Sequence, residues 1–407
     1  MIYAATTRIA EAALRLRAHV GGSAALRQRL AVDALPGPAT IWVHGASVGE
    51  LNSARPVIVA LAERMPLQIT ANSETGRDLA AGWGLPARLA PLDLPGALDR
   101  FLGAVRPRLL LTVESEFWPL RSRLLAQRGI AHAMIGARMS ERSAATWSKL
   151  PRIIGPMLGR ISALSAQDQA SEARLLRLGL PAAALLPRLD LKLIDPARIA
   201  PPPHDAARDA TVLAASTHEG EDAPILDAFL RLRADHPGAR LILAPRHPDR
   251  GEAIAVLAAS RSLSLARRSQ GADAAPQGGV LLADTLGEMD LWYSAAGICL
   301  VGGSLVERGG HTPWEPAAYR CALLHGPHVE NFREGFDHLD AHRAAQEISA
   351  DTLAATLSDL LSRPQRMRAM GDQARAALDG RAGDPGPLIA HLAGLASGGE
   401  APDMKRM

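Results

Sequence analysis

Short apolar runs alternate with longer helical patterns along almost the whole chain of 407 residues, and this alternation restricts the fold more than any other feature. Strands and helices that follow one another in this way are typical of parallel sheets with helices on both faces. The clearest helical patterns cover residues 53–64 and 223–235. We predict strands at residues 40–44, 67–70, 108–113, 132–136, 161–165, 211–215, 240–244, 279–283, 297–301 and 322–325.

A proline-rich segment divides this alternation almost in half. Residues 199–205 contain three consecutive prolines and no periodicity, which is typical of a stiff linker. We therefore predict an α/β fold with two Rossmann-like domains and a cleft between them. The predicted bounds are 1–198 for the first domain, 199–208 for the linker, 209–395 for the second domain and 396–407 for a flexible tail. Ligands of such sheets bind beyond the carboxyl ends of the strands.

Composition and spacing exclude several functions. The formal net charge is only +3, and no block of Lys and Arg interleaves with aromatic residues, so we expect no nucleic-acid partner. No apolar run reaches the roughly 18 residues that span a bilayer. The sequence contains no metal-binding spacing and no P-loop, so we expect no metal. The pI of about 9.2 suits an acidic substrate or an anionic membrane surface.

The segment 298–316 combines a predicted strand, two glycine turns and the start of a helix. Such a combination can hold phosphate, because glycines allow close approach and the first N–H groups of a helix point at the anion. Thr312 can cap this helix, whose first turn holds Pro313 and Glu315. A carboxylate there suits ribose hydroxyls. Polar segments at 216–220, 245–248 and 284–288 also follow strands, so we predict a nucleotide site, with an ordinary βα turn as the alternative.

In the first half, Glu50 opens a helix directly after a strand, where the helix dipole favours its charged form. It is a candidate general base, or simply a good first-turn residue. Gly45, Ser47 and Gly49 also match the Gly-x-Ser-x-Gly pattern of a hydrolase nucleophile.

Two acids follow the strand at 108–113. Glu114 and Glu116 can hold acceptor hydroxyls or stabilise positive charge on a sugar ring, unless they lie in a solvated loop. Arg138 follows the next strand and can bind a carboxylate or phosphate, or else pair with Glu141. Lys192, near the linker, can face an anionic group.

Together these motifs resemble those of the Kdo (3-deoxy-D-manno-octulosonic acid) transferases of lipopolysaccharide biosynthesis. The resemblance rests on at least seven ordered segments: 44–50, 114–119, 137–143, 191–192, 214–220, 245–248 and 284–288, followed by 301–316 and 326–328. It implies an inverting, metal-independent glycosyltransferase with the GT-B fold and no cofactor. The implied donor is CMP-Kdo and the implied acceptor is a lipid A precursor resembling lipid IVA.

The resemblance also assigns roles to residues. Glu50 resembles the general base. Glu116, with Glu114 as the alternative, and Lys192 resemble groups that stabilise the transition state. Acceptor-binding roles fall to Ser47, Glu114, Arg138 and Ser140. The segments that resemble CMP contacts contain Pro245, Arg246, Leu286, Gly287, Glu288, Thr312, Pro313, Trp314 and Glu315. Gly136, Asp190 and Thr312 stand where the family usually has asparagine.

A lipid acceptor implies work at a membrane. We expect peripheral attachment to the cytoplasmic face of the inner membrane, through an N-terminal helix and Arg15, Arg17, Arg27 and Arg29. A GT-B sugar-nucleotide epimerase and a catalytically silent binding paralogue are the alternative functions.

Overall fold

The computed structural model describes residues 2–398, and side chains from residue 7 onward. The chain forms two compact units. The first runs from Met1 to Asp195 and continues at Ala382–Met407, and the second is Pro196–Arg381. Each unit has its own parallel sheet covered by helices, as the alternation predicts.

The sheet of the first unit has six strands, all fully or largely buried, in the order β3-β2-β1-β4-β5-β6. Because the chain runs outward in both directions from β1, the switch point of this sheet lies between β1 and β4. Val43 in β1 pairs with Ile69 on one side and Leu111 on the other. The strands are β1 Ile41–His44, β2 Leu67–Ala71, β3 Ala87–Leu89, β4 Leu109–Val113, β5 Ala131–Ala137 and β6 Ala163–Ala166.

The sheet of the second unit has seven strands in the order β13-β12-β11-β7-β8-β10-β9, again all parallel. Its switch point lies between β7 and β11. The strands are β7 Thr211–Thr217, β8 Arg240–Pro245, β9 Leu265–Arg267, β10 Val280–Leu282, β11 Ile298–Val301, β12 Ala322–His325 and β13 Ala345–Glu347.

Nineteen α-helices lie in the described part of the chain. Several begin with a side-chain cap, for example Ser73, whose hydroxyl accepts a hydrogen bond from the N–H of Gly76 at 3.1 Å. The helices are α1 Ile2–Val20, α2 Ala24–Arg29, α3 Val48–Ala62, α4 Glu74–Gly82, α5 Pro95–Val105, α6 Pro119–Gln127, α7 Glu141–Trp147, α8 Pro151–Leu158, α9 Gln169–Arg177, α10 Leu191–Arg198, α11 Ala206–Asp209, α12 Asp222–Asp235, α13 Gly251–Ser260, α14 Met289–Ala295, α15 Trp314–Ala318, α16 Arg333–Ala341, α17 Leu353–Ser362, α18 Pro364–Ala382 and α19 Gly386–Ser397.

The domain bounds differ from the predicted ones. Residues 199–208 belong to the second unit, where Arg375 Nη1 donates to the carbonyl of Ile199 at 2.6 Å. The last helix, α19, lies in the first unit because Leu388, Ile389 and Leu392 are buried in its core. Of the predicted tail 396–407, the first two residues complete α19, and residues 399–407 lie outside the described part.

The N-terminal helix α1 is attached to the first unit through a buried carboxylate. Glu11 accepts a hydrogen bond from the N–H of Gly96 at 2.7 Å and pairs with Arg100 at 2.8 Å. Among the helices of residues 2–398, none is long and apolar enough to cross a membrane.

Candidate active site

Glu50 lies in the first turn of α3, directly beyond the carboxyl end of β1. Ser47 is the N-cap of α3, and its hydroxyl accepts a hydrogen bond from the N–H of Glu50 at 3.3 Å. The Glu50 carboxylate reaches back to accept from the N–H of Ala46 at 2.6 Å and from the Ser47 hydroxyl at 3.2 Å. This reciprocal arrangement resembles a capping box, so the loop holds the Glu50 side chain in one place.

The pKa of Glu50 is raised above its ordinary value. Half-burial is the main cause, and the negative charge of Glu114 adds to it, against the opposing hydrogen bond from Ala46. A carboxylate with a raised pKa is a better proton acceptor than an ordinary one, which suits a general base.

Ser47 does not have the geometry of a hydrolase nucleophile. A nucleophile elbow places its serine on a strained turn, whereas the backbone of Ser47 is relaxed and extended, with φ −130° and ψ 167°. Its hydroxyl is engaged in capping α3. The Gly-x-Ser-x-Gly match therefore marks a helix start.

Glu116 follows β4, on the other side of the switch point. Its Oε2 accepts a hydrogen bond from the indole N–H of Trp118 and lies 3.7 Å from Nε2 of His44. Burial alone would raise the pKa of Glu116, but His44, Trp118 and the charge of Arg121 outweigh it and lower the pKa to about 2. Glu116 is therefore ionised at neutral pH.

His44, the last residue of β1, stays neutral beside that carboxylate. Its pKa is lowered to about 4, mainly by complete burial and then by the charge of Arg121. Nδ1 of His44 lies 2.9 Å from the hydroxyl of Thr70, which also accepts a hydrogen bond from Trp42 Nε1 at 2.8 Å. No motif in the sequence predicts a role for His44, Thr70 or Trp42, although His44 and Thr70 end predicted strands.

The remaining predicted acceptor residues lie around these strand ends. Glu114 adopts a left-handed backbone with φ 57°, which is costly for a residue with a Cβ and often marks a functional turn. The hydroxyl of Ser115 accepts from the N–H of Arg138 at 2.9 Å, so the ends of β4 and β5 are joined and the Arg138 side chain is exposed beside them. Ser140 caps α7.

Lys192 lies at the start of α10 with its side chain exposed. Within the described residues, no hydrogen bond or ion pair joins it to Glu50 or Glu116.

Leu191, the neighbour of Lys192, packs against Gly136. The φ of Gly136 is +59°, a left-handed conformation that glycine and asparagine adopt more easily than other residues. Asparagine tolerates this backbone shape as well, but its Cβ would lie 2.7 Å from Cδ1 of Leu191, so the Leu191 side chain would have to move.

In the second unit, the first glycine turn does not form the predicted phosphate site. The carboxylate of Glu221, only 1% exposed, accepts hydrogen bonds from the N–H groups of Gly303 at 2.7 Å, Ser304 at 3.1 Å and Leu305 at 2.9 Å. It also accepts from the N–H of His218 at 2.8 Å. These N–H groups are already used by the protein itself, so they are not available to an anion.

Three histidines and an arginine gather beside this turn. The Nε2 atoms of His218 and His311 lie 2.9 Å apart and their rings stack, while the ring of His247 is 6.1 Å from that of His218. The pKa of His311 is lowered to about 4 by burial first, and then by His218 and Arg246. Arg246 is exposed after β8, next to Pro245, which ends that strand. This group is suited to an anion.

In the predicted segment 286–288, the side chain of Glu288 is engaged in an ion pair. Glu288 accepts hydrogen bonds from Thr285 and from Arg268, whose Nη2 lies 2.6 Å away. Leu286 is 75% exposed and Gly287 has a positive φ of 82°. A ligand can therefore contact Leu286 and Gly287 without displacing an ion pair.

The helix after the second glycine turn begins one residue later than predicted. Pro313 is the N-cap of α15, and Thr312 lies just outside, with its hydroxyl accepting from the N–H of Trp314 at 3.3 Å. Glu315 is exposed and accepts a hydrogen bond from the Tyr293 hydroxyl at 3.2 Å. Among the residues that the structure describes, no group of three or more His, Cys, Asp and Glu could hold a metal ion.

The fold belongs to the GT-B class. The structure is similar to that of the UDP-GlcNAc 2-epimerase from Neisseria meningitidis, with a TM-score of 0.56 over 84% of this chain and 96% of that chain. The two sequences are only 13% identical, so this likeness concerns the fold alone and gives no support to an epimerase function.

The sequence identifies the family. A model of the 3-deoxy-D-manno-octulosonic-acid transferase (kdotransferase) family matches residues 23–194. The chain is 34% identical to the 3-deoxy-D-manno-octulosonic acid transferase of Haemophilus influenzae, over 83% of this chain and 82% of the relative. It is also 34% identical to that of Bordetella pertussis, over 84% of each chain. The chain belongs to the Kdo transferase family, and it is a glycosyltransferase.

Proposed function

We propose that this Kdo transferase takes Kdo from CMP-Kdo and attaches it to a hydroxyl group of a lipid A precursor in lipopolysaccharide biosynthesis, with inversion at the anomeric carbon and without a metal. The observation that carries the proposal is the pair of carboxylates at the switch point of the first sheet. Glu50 has a raised pKa and Glu116 a lowered one, so one suits proton uptake and the other remains charged.

The proposed reaction is a single displacement. The acceptor oxygen forms a bond to the anomeric carbon of Kdo while the bond from that carbon to the CMP phosphate oxygen breaks. The electron pair leaves with CMP, and the acceptor proton passes to Glu50. The ionised Glu116 stabilises positive charge that develops on the sugar, in the environment that His44 and Trp118 provide.

The second unit is proposed to hold CMP. Arg246 and the histidines at 218, 247 and 311 form a polar group that suits the phosphate, and the exposed Glu315 suits the ribose hydroxyls. Lys192, Pro245, Leu286, Gly287, Thr312, Pro313 and Trp314 keep the roles that the family resemblance implies. The acceptor is proposed to contact Ser47, Glu114, Arg138 and Ser140 in the first unit.

The test is release of CMP from CMP-Kdo, with and without a lipid A precursor, combined with mass analysis of the lipid. We expect CMP release that depends on the acceptor and a lipid heavier by one or more Kdo residues. CMP release at equal rates with and without acceptor would contradict the proposal, as would an unchanged lipid. UDP-GlcNAc serves as the control donor and should give no product.

We also propose that the protein works as a peripheral protein at the cytoplasmic face of the inner membrane. The support is α1, which exposes Ile9, Leu16 and Val20 to solvent by 74%, 67% and 78%. Exposed arginines flank these apolar residues, a composition that favours an anionic membrane surface.

A further inference from the structure

Arg121 is a charged residue buried beneath the strand ends of the first unit. It lies in the first turn of α6, where its N–H and that of Leu120 donate to the carboxylate of Asp93 at 2.7 Å and 3.0 Å. Only 3% of the residue is exposed, and its Nε and Nη1 donate to no acceptor in the part of the chain that the structure describes. Burial of a guanidinium group costs free energy, so favourable contacts must offset the burial of Arg121.

Two indole rings lie close to this cation. The guanidinium carbon lies 5.1 Å from the ring centroid of Trp42 and 5.7 Å from that of Trp118. Both distances lie within the range of cation–π attraction, which is strongest for tryptophan and increases when the cation is shielded from water. Arg121 therefore restricts the orientation of two side chains at once.

Each indole N–H is used in the candidate active site. Trp118 donates to Oε2 of Glu116, so rotation of its ring would remove a hydrogen bond from that carboxylate. Trp42 donates to the hydroxyl of Thr70 at 2.8 Å, and this hydroxyl lies 2.9 Å from Nδ1 of His44.

The network closes on itself. Nε2 of His44 lies 3.7 Å from the same carboxylate oxygen, Oε2 of Glu116, that accepts from Trp118. Contacts thus lead from Arg121 through one indole to Glu116, and through the other indole, Thr70 and His44 back to Glu116. Because Arg121 contacts both indoles, a change at Arg121 affects both series of contacts that reach Glu116.

The charge of Arg121 acts on the same two groups. It lowers the pKa of His44, after the larger effect of burial, and contributes to the low pKa of Glu116. The other charged or titratable groups around the cluster are Glu50, Asp93, Arg29 and His132. His132 is also buried, with its pKa lowered to about 3 by burial and by Arg121.

We propose that Arg121 is a positioning residue for Kdo transfer: its guanidinium group fixes the indoles of Trp42 and Trp118, and these hold the Glu116 carboxylate and the His44 imidazole in their working orientation. This inference rests on the proposed function in so far as Glu116 takes part in the reaction. It adds a residue that touches neither the sugar nor the nucleotide.

The experiment compares the full-length variants Arg121→Met, Arg121→Lys and Arg123→Met with the wild type. Methionine fills similar space without charge. Lysine keeps the charge but is a point charge that cannot face two rings as a planar guanidinium does. Arg123 lies two residues further along the same helix with its side chain exposed, and is the matched control.

Two measurements need no substrate. In NMR spectra we expect Arg121→Met to move the indole N–H signals of Trp42 and Trp118 and to raise the titration midpoint of His44. Arg121→Lys should move the indole signals but leave that midpoint near the wild-type value.

In the transfer assay, kcat should fall about 10- to 100-fold for Arg121→Met, the usual effect of a displaced active-site group. The Kd for CMP should stay within about twofold, because CMP is assigned to the second unit.

The proposal is wrong if Arg121→Met keeps the wild-type indole signals and His44 titration, or if Arg123→Met has the same effect. If Arg121→Met does not fold, Arg121→Lys decides, since wild-type indole signals and wild-type kcat in that variant would also overturn the proposal. If the wild type transfers no Kdo, the proposed function is refuted. If the variants still show the expected spectral changes, Arg121 nevertheless positions Trp42, Trp118, Glu116 and His44.

Discussion

Glu50 combines two tasks that a single substitution can separate. Its carboxylate caps the start of α3 through Ala46 and Ser47, and it is the proposed base. Glutamine keeps one oxygen that can accept from the N–H of Ala46, and its amide N–H can donate to the Ser47 hydroxyl where the carboxylate accepted from it. We therefore expect Glu50→Gln to lower the melting temperature only slightly. Turnover should fall roughly 10²–10⁴-fold, the usual contribution of a general base. Steady-state assays and thermal unfolding measure the two effects.

Glu63→Gln is the control for this substitution, since Glu63 is exposed at the other end of the same helix. Its activity should equal that of the wild type. An active Glu50→Gln enzyme would refute the assignment of the base, and a large loss of melting temperature would mean that capping, not chemistry, explains the loss of turnover.

His311 should make CMP binding depend on pH. In the free protein its pKa is about 4, so the ring is neutral at pH 7. A bound phosphate would favour the charged ring and raise this pKa. A group whose pKa rises on binding takes up a proton, so affinity increases as the pH falls through the raised pKa and levels off near the free value of about 4.

The measurement is the Kd for CMP between pH 8 and pH 5 for the wild type and His311→Gln. The phosphate itself titrates near pH 6, so the ratio of the two Kd values is the relevant quantity. We expect the advantage of the wild type to grow as the pH falls. A ratio that does not change with pH would show that His311 does not face the phosphate.

At the scale of residues, the sequence indicates which polar groups follow strands, but not which residues they contact. Glu50 and Glu116 are visible because they directly follow predicted strands. Glu221 binds Gly303 from 82 positions away, and no spacing in the sequence indicates such a contact. The same holds for Thr70 and Arg121, whose roles depend on neighbours from other strands and helices.

At the scale of elements, α1 has two opposite faces. Glu11 and Ala18 are buried against the first unit, whereas Ile9, Leu16 and Val20 recur at helical spacing on the other side. Arg8, Arg15 and Arg17 are exposed beside them, and Arg27 is exposed in α2. Arg29, the fourth arginine that the sequence suggested for this surface, is only partly exposed, whereas Arg8 is exposed on α1.

We expect the protein to bind vesicles that contain anionic lipid, and to bind less at high salt. Each arginine near the surface contributes roughly 1 kcal/mol, so glutamine at positions 8, 15, 17 and 27 together should abolish binding. Leu16→Gln should weaken binding at any salt concentration. Co-sedimentation measures both effects, with Val256→Gln, an exposed apolar residue of the second unit, as the control. Binding that the arginine variant retains would place the docking surface elsewhere.

The predicted strands agree with the observed ones to within one or two residues at each end. These strands are buried on both faces and read as mainly apolar runs. The pattern missed β3, β9 and β13, each three residues long and each at an edge of its sheet. An edge strand is covered less and can carry charge, as Arg267 in β9 and Glu347 in β13 do, so it gives no apolar run.

At the scale of the whole molecule, the proline run did not mark the boundary between the units. It indicated two domains correctly, but the first unit also includes α19 from the far end of the chain. The apolar residues of α19 are spaced as in any amphipathic helix, and nothing in that spacing tells which core they enter. Long-range packing decides it.

The packing of α19 in the core of the first unit can be tested by truncation. We expect a protein that ends at residue 385 to have a lower melting temperature, because removal of Leu388, Ile389 and Leu392 exposes apolar surface of the first core. Arg246-dependent binding of CMP should persist, since α19 contributes no residue to the second unit. Loss of CMP binding together with an unchanged melting temperature would contradict this division of the chain. Calorimetry and titration with CMP measure the two properties.

The position of α19 also bears on the order of events during synthesis. A ribosome makes the six strands of the first unit before any residue of the second, yet α19, which completes the first core, follows the whole second unit in the sequence. Domains usually fold as they leave the ribosome, from the N-terminus onward. Here the first unit can complete its core only after the second unit has been translated, so the apolar surface that α19 covers on α3 and β5 stays exposed until then.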